Sequence, residues 1–482
     1  MKALLDEAVG LHGQGRLAEA APLYLHILKC EPGHSDARHM LGVLRAQQGR
    51  NAEALELIAP IVAAEPHNAL ALANLGNVLN ALERTENALQ AYDRSVALNP
   101  DYPPVHLSRG NVLQLLLRYD EALESYNRFL GFFPDHAEAW SNRGMALQNL
   151  RRLDEALEAF RRAEALDPAM PEAPLNRALC HLLMQDFASG LPLYEGRKKM
   201  RPPMEARAYP QPLWTGREDI RGKTLFAYIE QGLGDTIQFY RYLQFALDRG
   251  ARIILSVPSQ LVALLQDAAP AVELIGWGAV PPAFDYHIPL ASIPLAVGMT
   301  LERIPVTDHY LIAQPERVAR WKEKLGAHGF RIAIAWQGNQ LIAGAEGKSF
   351  PVAALEGIAK LAGVRLIALQ KNAGAEQLEQ LPPGMVVERY AFDEGPDAFL
   401  DSAAIMMACD LVITADTAPA HLAGALGVPT WVALKYVPDW RWFLDRTDSP
   451  WYPSLRLFRQ PATGDWAGIF AAMQAELTSR KF

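Results

Sequence analysis

The chain has 482 residues, half of them hydrophobic and 21% charged, with a formal net charge of −8. That length calls for two or three domains with sizeable cores, and the acidic balance excludes nonspecific nucleic-acid binding as a main role. Cys30, Cys180 and Cys409 are far apart and odd in number, which gives neither a disulfide framework nor a CxxC metal pair. No apolar run reaches membrane-spanning length. The opening MKALLDEAVGLHGQGRLAEA is amphipathic and broken by glycine, without the apolar core of a signal peptide, so a reducing, cytoplasmic setting is expected.

The first 203 residues repeat. Prolines stand at Pro32, Pro66, Pro100, Pro134, Pro168 and Pro202, each 34 residues after the last. Small residues keep the same spacing in two further series: Gly42, Gly76, Gly110, Gly144 and Ala178, then Ala20, Ala54, Ala88, Ala122, Ala156 and Gly190. Helix-period apolar residues fill the intervals, as in DEALESYNRFLGFFP. Each unit therefore predicts a helical hairpin, with small residues where its helices approach and proline ending the second helix. The pattern is similar to the tetratricopeptide repeat (TPR), which implies a superhelix with a concave groove for a peptide or partner helix. Asn74, Asn142 and Asn176 share one register of the first helix, with Ser108 in the remaining slot. They resemble the asparagine ladder of TPR-bearing O-GlcNAc transferases, which implies a peptide groove; the alternative is that asparagine is merely common at this position. The sixth unit, LNRALCHLLMQDFASGLPLYEGRKKM, is less regular, as expected where an array meets another domain.

A proline-rich, charged stretch follows, and 204–222 reads as a linker. Strand-like runs then alternate with helical ones: TLFAYI, RIILSV, AVELIGW and DYHIPL, later RIAIAW, VRLIALQ, MVVERY, DLVITA and VPTWVAL. Such alternation predicts parallel sheets flanked by helices. A break near LIAQPERVARWKEKLGAHGF divides an acceptor-side domain, 223–315, from a donor domain, 316–482. Two facing Rossmann-like sheets resemble the GT-B glycosyltransferase architecture, with a cleft at the strand C-termini.

Two segments carry the chemistry. DLVITADTAPAHLAGALGVP places Asp416 and Thr417 at the end of a strand, Pro419 in the first turn of a helix and His421 just inside it. The free N–H groups of that turn suit an anion; the plain alternative is that Asp416 and Thr417 only cap the helix while His421 packs beneath it. The segment resembles the DT-G-x-x-HL-AALG-x-P motif of glycosyltransferase family 9, the heptosyltransferases, with Ala418 where glycine or serine is usual. That resemblance implies donor binding by Asp416, Thr417 and His421. EQGLGDTIQF, with Gly232, Gly234 and Asp235, resembles the same family's LGD-x-I loop, which implies that Asp235 is the catalytic base and that the two glycines belong to the acceptor-side loop; the alternative is a helix cap. A carboxylate at a helix N-terminus is a weaker base, which is tolerable if the hydroxyl loses its proton late.

Lys348 resembles the family's phosphate-contacting lysine, and Gln337 and Asn339 of the preceding WQGN loop go with it on the donor side. The intervening QLIAGAEG departs from the polar, arginine-bearing loop of TPR-fused relatives. Lys371, in the LQKN turn, is a second cation candidate, and Trp440, Arg441 and Trp442 either frame the nucleotide or belong to the core. No D-x-D pair occurs, so no metal and no cofactor is expected beyond the nucleotide-sugar itself. With DWRWFLDRTDSPWYPSLRLFRQP near the C-terminus, the resemblance spans nearly the whole chain and extends to bacterial TPR-fused transferases, some similar to flagellin glycosyltransferases. It implies an inverting, metal-independent transfer of sugar to Ser or Thr of a protein held by the repeats. The rivals are an inactive TPR scaffold and a transferase acting on glycan or lipid.

Overall fold

The computed structural model describes residues 1–200, 209–268, 271–339, 347–395 and 398–479. They form two compact units, Met1–Ala169 and Met170–Phe482.

The first unit is five helical hairpins: Lys2–Gly13 with Leu17–Cys30, Ser35–Gln47 with Asn51–Ala64, Ala69–Ala81 with Thr85–Leu98, Pro103–Leu115 with Tyr119–Phe132, and Ala137–Asn149 with Leu153–Leu166. The periodic glycines have a steric cause. A Cβ built on Gly42, Gly76, Gly110 or Gly144 would lie 2.6, 2.4, 2.6 and 2.6 Å from Ile58, Tyr92, Tyr126 and Phe160 respectively. Each large side chain of the second helix thus fills the space that the glycine of the first leaves open. The tight turn inside each hairpin uses one left-handed residue: Gly15 and Gly49 in the first two, then Glu83, Leu117 and Arg151 at φ of 58 to 61°. Three of the five first helices begin on a side-chain cap, His34, Asn68 and His136 accepting the N–H of Ala37, Ala71 and Ala139. In the fourth hairpin Pro103 starts the helix instead, where no N–H needs a partner.

The second unit begins with a sixth hairpin, Glu172–Leu183 and Phe187–Tyr194, and a short 3₁₀ turn, Glu195–Lys199. The repeat pattern thus runs one hairpin beyond the first compact unit. Pro202 and most of the stretch before Tyr209 fall outside the described residues.

Two parallel sheets follow. The first consists of β1 (Thr224–Tyr228), β2 (Arg252–Val257), β3 (Val272–Gly276) and β4 (Tyr286–Pro289), in the order β3-β2-β1-β4. The second consists of β5 (Phe330–Ala335), β6 (Val364–Ala368), β7 (Val387–Glu388), β8 (Leu411–Ala415), β9 (Thr430–Leu434) and β10 (Leu455–Arg459), in the order β10-β9-β8-β5-β6-β7. Every pairing within the two sheets is parallel. β1, β8 and β9 are buried along their whole length, which is why they read as continuous apolar runs rather than alternating ones.

Both sheets reverse direction after their third strand. Counted within each sheet, the orders are 3-2-1-4 and 3-2-1-4-5-6, so a crevice opens between β1 and β4 in one and between β5 and β8 in the other. All nine strand-like runs of the sequence became strands, although MVVERY contributes only Val387 and Glu388 to β7. β10 was not expected: LRLFR alternates arginine with apolar residues at the sheet's edge, so its apolar run is broken. Among the described residues no helix is long and apolar enough to cross a membrane.

Candidate functional site

The site forms where the loop after β1 meets the loop after β8. Gly232 caps the helix Leu233–Tyr240, and its N–H is donated to Asp235 Oδ2 at 3.0 Å. Thr417 stands at the corresponding position of the helix Ala418–Ala425, with Pro419 in its first turn. These two helices pack on each other. A Cβ on Gly234 would lie 2.9 Å from His421 Cδ2 and 3.2 Å from Ala418 Cα, so glycine here admits the facing helix. Gly338, after β5, does the same for Thr417, whose Cγ2 would stand 2.8 Å from a Cβ there.

A line of five charges crosses this junction. Asp235 Oδ1 accepts a hydrogen bond of 2.5 Å from Arg441 Nη2. Arg441 donates its Nη1–H and its backbone N–H to Asp439 Oδ1, at 2.8 and 3.1 Å. Asp439 Oδ2 lies 3.8 Å from Lys348 Nζ, which in turn lies 3.3 Å from Asp416 Oδ2. Asp416 Oδ1 accepts from Trp442 Nε1 at 2.7 Å. Burial would lower the Lys348 ammonium, but Asp416 and Asp439 beside it hold it above its ordinary value, so it is fully charged at neutral pH. Burial would raise the Asp439 carboxyl; Arg441 and Lys348 keep it well below the carboxylate range. The partly open members are Asp235, Lys348 and Asp439, whose side chains are 28%, 25% and 23% exposed, against 6% for Arg441 and 7% for Asp416.

His421 is buried, stacks on Trp442 with ring centroids 5.3 Å apart, and places Nδ1 3.1 Å from the Tyr452 hydroxyl. Burial first, and then the Arg441 charge, lower it to about 4, so the ring is neutral at physiological pH. It therefore brings no charge to the site. Tyr452 also carries the Arg241 guanidinium 4.3 Å from its ring centroid, with Tyr310 at 4.5 Å from the same cation.

The loop that carries Asp235 is anchored from below. Glu230, with a side chain 1% exposed, accepts from Arg197 Nη2 at 2.7 Å, and Arg197 also meets Glu195 and Ser292 at 2.6 and 2.7 Å. Gln231 Nε2 donates to the Tyr194 hydroxyl at 2.7 Å. The sixth hairpin and its 3₁₀ turn thus fix the crevice between β1 and β4, since Ser292 follows β4.

Asp235, Lys348, Asp416, Thr417 and His421 are therefore brought together, with Gly232 and Gly234 at the junction. The other sequence candidates have contacts of their own, Gln337 and Asn339 flanking the Gly338 that faces Thr417. Lys371 donates to the Asp393 backbone carbonyl at 2.5 Å and sits against the Phe392 ring. Gln337 is bound to its neighbours: Gln370 accepts its backbone N–H at 3.0 Å, and its Oε1 accepts from Gln377 at 3.1 Å. Asn339 is exposed beside the altered QLIAGAEG loop, of which 340–346 lie outside the described residues. In the first unit Asn74 bonds His39 at 2.9 Å and Asn142 donates to Asn111 at 3.0 Å, so both amides link neighbouring hairpins. Asn176 is half-buried in the sixth hairpin.

Trp440 and Trp442 are 3% and 1% exposed and belong to the packing that holds the site. Sequence reasoning missed Asp439 and the Arg197–Glu230 pair altogether. DWR offered a signal for Asp439, an acid two residues from a base, but nothing in the sequence pairs Arg197 with Glu230.

Comparison with known proteins agrees with this layout. A tetratricopeptide-repeat model matches residues 5–59, 39–103, 107–171 and 143–196. The model of glycosyltransferase family 9 (heptosyltransferase) matches residues 341–434, which hold Lys348, Asp416, Thr417 and His421. Protein FlbA of Caulobacter vibrioides is 32% identical over 277 residues, 52% of this chain and 46% of FlbA, so the match spans about half the length of that curated relative. Similar solved structures include the thermophilic TPR protein TTC0263 of Thermus thermophilus, 28% identical over 38% of this chain and 98% of its own, with a TM-score of 0.31. YrrB, described as a TPR protein with an unusual peptide-binding site, is 25% identical over 35% of this chain and 88% of its own, with a TM-score of 0.32. The chain therefore matches tetratricopeptide repeats within residues 5–196 and glycosyltransferase family 9 over residues 341–434.

Proposed function

We propose that residues 170–482 form a GT-B-type, inverting glycosyltransferase that works in the cytoplasm and transfers a sugar from a nucleotide diphosphate to Ser or Thr of a protein held by the repeats. The observation that carries this reading is that the helix bearing Asp235 packs on the helix that Thr417 caps, while Arg441 and Asp439 link Asp235 to Lys348 and Asp416. The donor's diphosphate would sit at the N-terminus of the helix Ala418–Ala425, where the helix dipole, the Thr417 hydroxyl and the Lys348 charge all favour an anion. His421, neutral, would hydrogen-bond the donor rather than neutralise it. The acceptor hydroxyl oxygen attacks the anomeric carbon from the side opposite the diphosphate. As the new C–O bond forms, the bond to the diphosphate breaks and its electron pair leaves with the nucleotide, while Asp235 takes the hydroxyl proton. Lys348 and the helix N-terminus supply the positive charge that the leaving group needs, and no metal is invoked. Flagellin is the acceptor that the sequence resemblance names.

A thermal-shift screen of the full chain against nucleoside diphosphates and their sugars, without added metal, tests this reading. The expected result is a rise in Tm that Thr417→Ala or Lys348→Ala abolishes and Asp235→Ala retains, with sugar transfer lost in all three. No shift with any donor, from a folded protein, would leave the repeats as a scaffold. Transfer to glycan or lipid with no modified protein would remove the protein acceptor.

A further inference from the structure

Arg441 is the least exposed of the five charges and the one that joins the two sides of the site. Its Nη2 holds Asp235, its Nη1 holds Asp439, and its guanidinium lies 4.8 Å from the Trp440 ring centroid and 5.2 Å from that of Phe239. Asp439 is shared in turn, with one oxygen on Arg441 and the other facing Lys348. Three carboxylates therefore meet two cations; Arg441 and Asp416 are the buried ones, and Asp235, Lys348 and Asp439 are partly open. As the chain stands, the carboxylate assigned to the acceptor proton has one oxygen committed to Arg441 and the other to the Gly232 N–H. A base tied in this way has its orientation set and much of its charge offset by Arg441.

We propose that Arg441 is a positioning residue that holds Asp235 until the donor binds, with Asp439 as the link through which it senses Lys348. The inference rests on the donor site proposed above. An incoming diphosphate draws Lys348 toward itself and away from Asp416 and Asp439. Asp439 then has Arg441 as its remaining cation, and their attraction strengthens because Lys348 no longer competes for its carboxylate. The Arg441–Asp235 contact weakens correspondingly, and one oxygen of Asp235 becomes available to the acceptor hydroxyl. No bond is made or broken in this step; a hydrogen-bonded pair changes partners. The consequence is ordered use of the site, donor first, which keeps the base from acting before a leaving group is present.

The test is a double-mutant cycle on the full chain, with Asp235→Asn, Arg441→Gln and the double variant, read by thermal unfolding with and without millimolar inorganic pyrophosphate as the probe. Without pyrophosphate, the two single losses in Tm should exceed the loss in the double variant, which shows a coupled pair. With pyrophosphate bound, the effects should approach additivity. Additive effects without pyrophosphate, or an unchanged coupling with it, would overturn the proposal while leaving the donor site standing. A wild-type protein whose Tm pyrophosphate does not raise would overturn the donor site and this proposal with it. Should Arg441→Gln fail to fold, Arg441→Lys keeps the charge and loses the two-pronged geometry, and serves in its place. A kinetic readout separates positioning from simple stability: at saturating donor Arg441→Lys should keep kcat and donor KM within a few fold, while the donor-first order of binding seen in wild-type initial rates is lost. Equal losses in both terms would mark a merely structural role.

Discussion

In residues 1–169 the contacts that close the structure are short in sequence and the same each time: a glycine on one helix meets a large side chain on the next, at Gly42, Gly76, Gly110 and Gly144. In residues 170–482 the decisive contacts are single and distant. Asp235 meets Arg441 across 206 positions, Trp451 meets Tyr242 across 209, and Arg331 meets Asp410 across 79. The first unit spreads its stability over many equivalent local interfaces, whereas the second concentrates it in a few buried, charged junctions. Losses should therefore be small and local in the array, and large where a buried charge loses its partner. The two can be followed separately, because Trp140 is the sole tryptophan of residues 1–169 among the chain's ten.

The largest expected effect is Arg197→Leu. It leaves Glu230, a side chain 1% exposed, without its cation, and should cost the second unit about 3–5 kcal/mol. Denaturant unfolding followed by tryptophan fluorescence should shift, while far-ultraviolet circular dichroism keeps a component from the array. A shift common to both signals would show that the two units unfold together and would erase the contrast.

Acid should come next. His421 stands at about 4 in the folded chain against an ordinary 6.5, so the unfolded chain binds its proton first. Stability is full above pH 6.5, is lost as pH falls from there to about 4, and changes no further below, a loss of about 3 kcal/mol. His421→Gln should flatten the fluorescence-detected stability across that window and leave the array's pH dependence as it was.

Gly110→Ala probes the repeat side of the contrast. The new Cβ meets the Tyr126 ring at 2.6 Å, and overpacking of that kind costs about 1–3 kcal/mol. The circular-dichroism transition should fall with little change in fluorescence. The smallest effect has the opposite sign. Leu117 holds a left-handed turn at φ 60°, where Gly15 and Gly49 serve in the first two hairpins. Leu117→Gly should stabilise the array by about 1 kcal/mol, and a loss would mean that the Leu117 side chain contributes more packing than the strain costs.

Much of this contrast was legible beforehand and some was not, for physical reasons. The hairpins could be read because one steric requirement recurs every 34 residues, so proline and glycine mark it repeatedly. The buried strands could be read because parallel strands are apolar on both faces. β10 was missed because an edge strand tolerates Arg456 and Arg459 between its apolar residues. Within the site, the motifs pointed to Asp235, Lys348, Asp416, Thr417 and His421, yet Lys371 sits apart from them, bound to the Asp393 carbonyl. The LGD glycines suggested room for a ligand, but Gly234 is open to His421 and Ala418 of the facing helix instead.

By itself the sequence determined the repeat register, the alternation of strand and helix and the residue types at the two crevices, since each follows from local sterics or from burial of a contiguous run. Only the tertiary structure decided that the sixth hairpin belongs with the sheets, that Arg197 neutralises Glu230, and that Arg441 lies between Asp235 and Asp439. A buried charge takes whichever partner the chain's path brings within about 3 Å, and no local pattern records which one that will be.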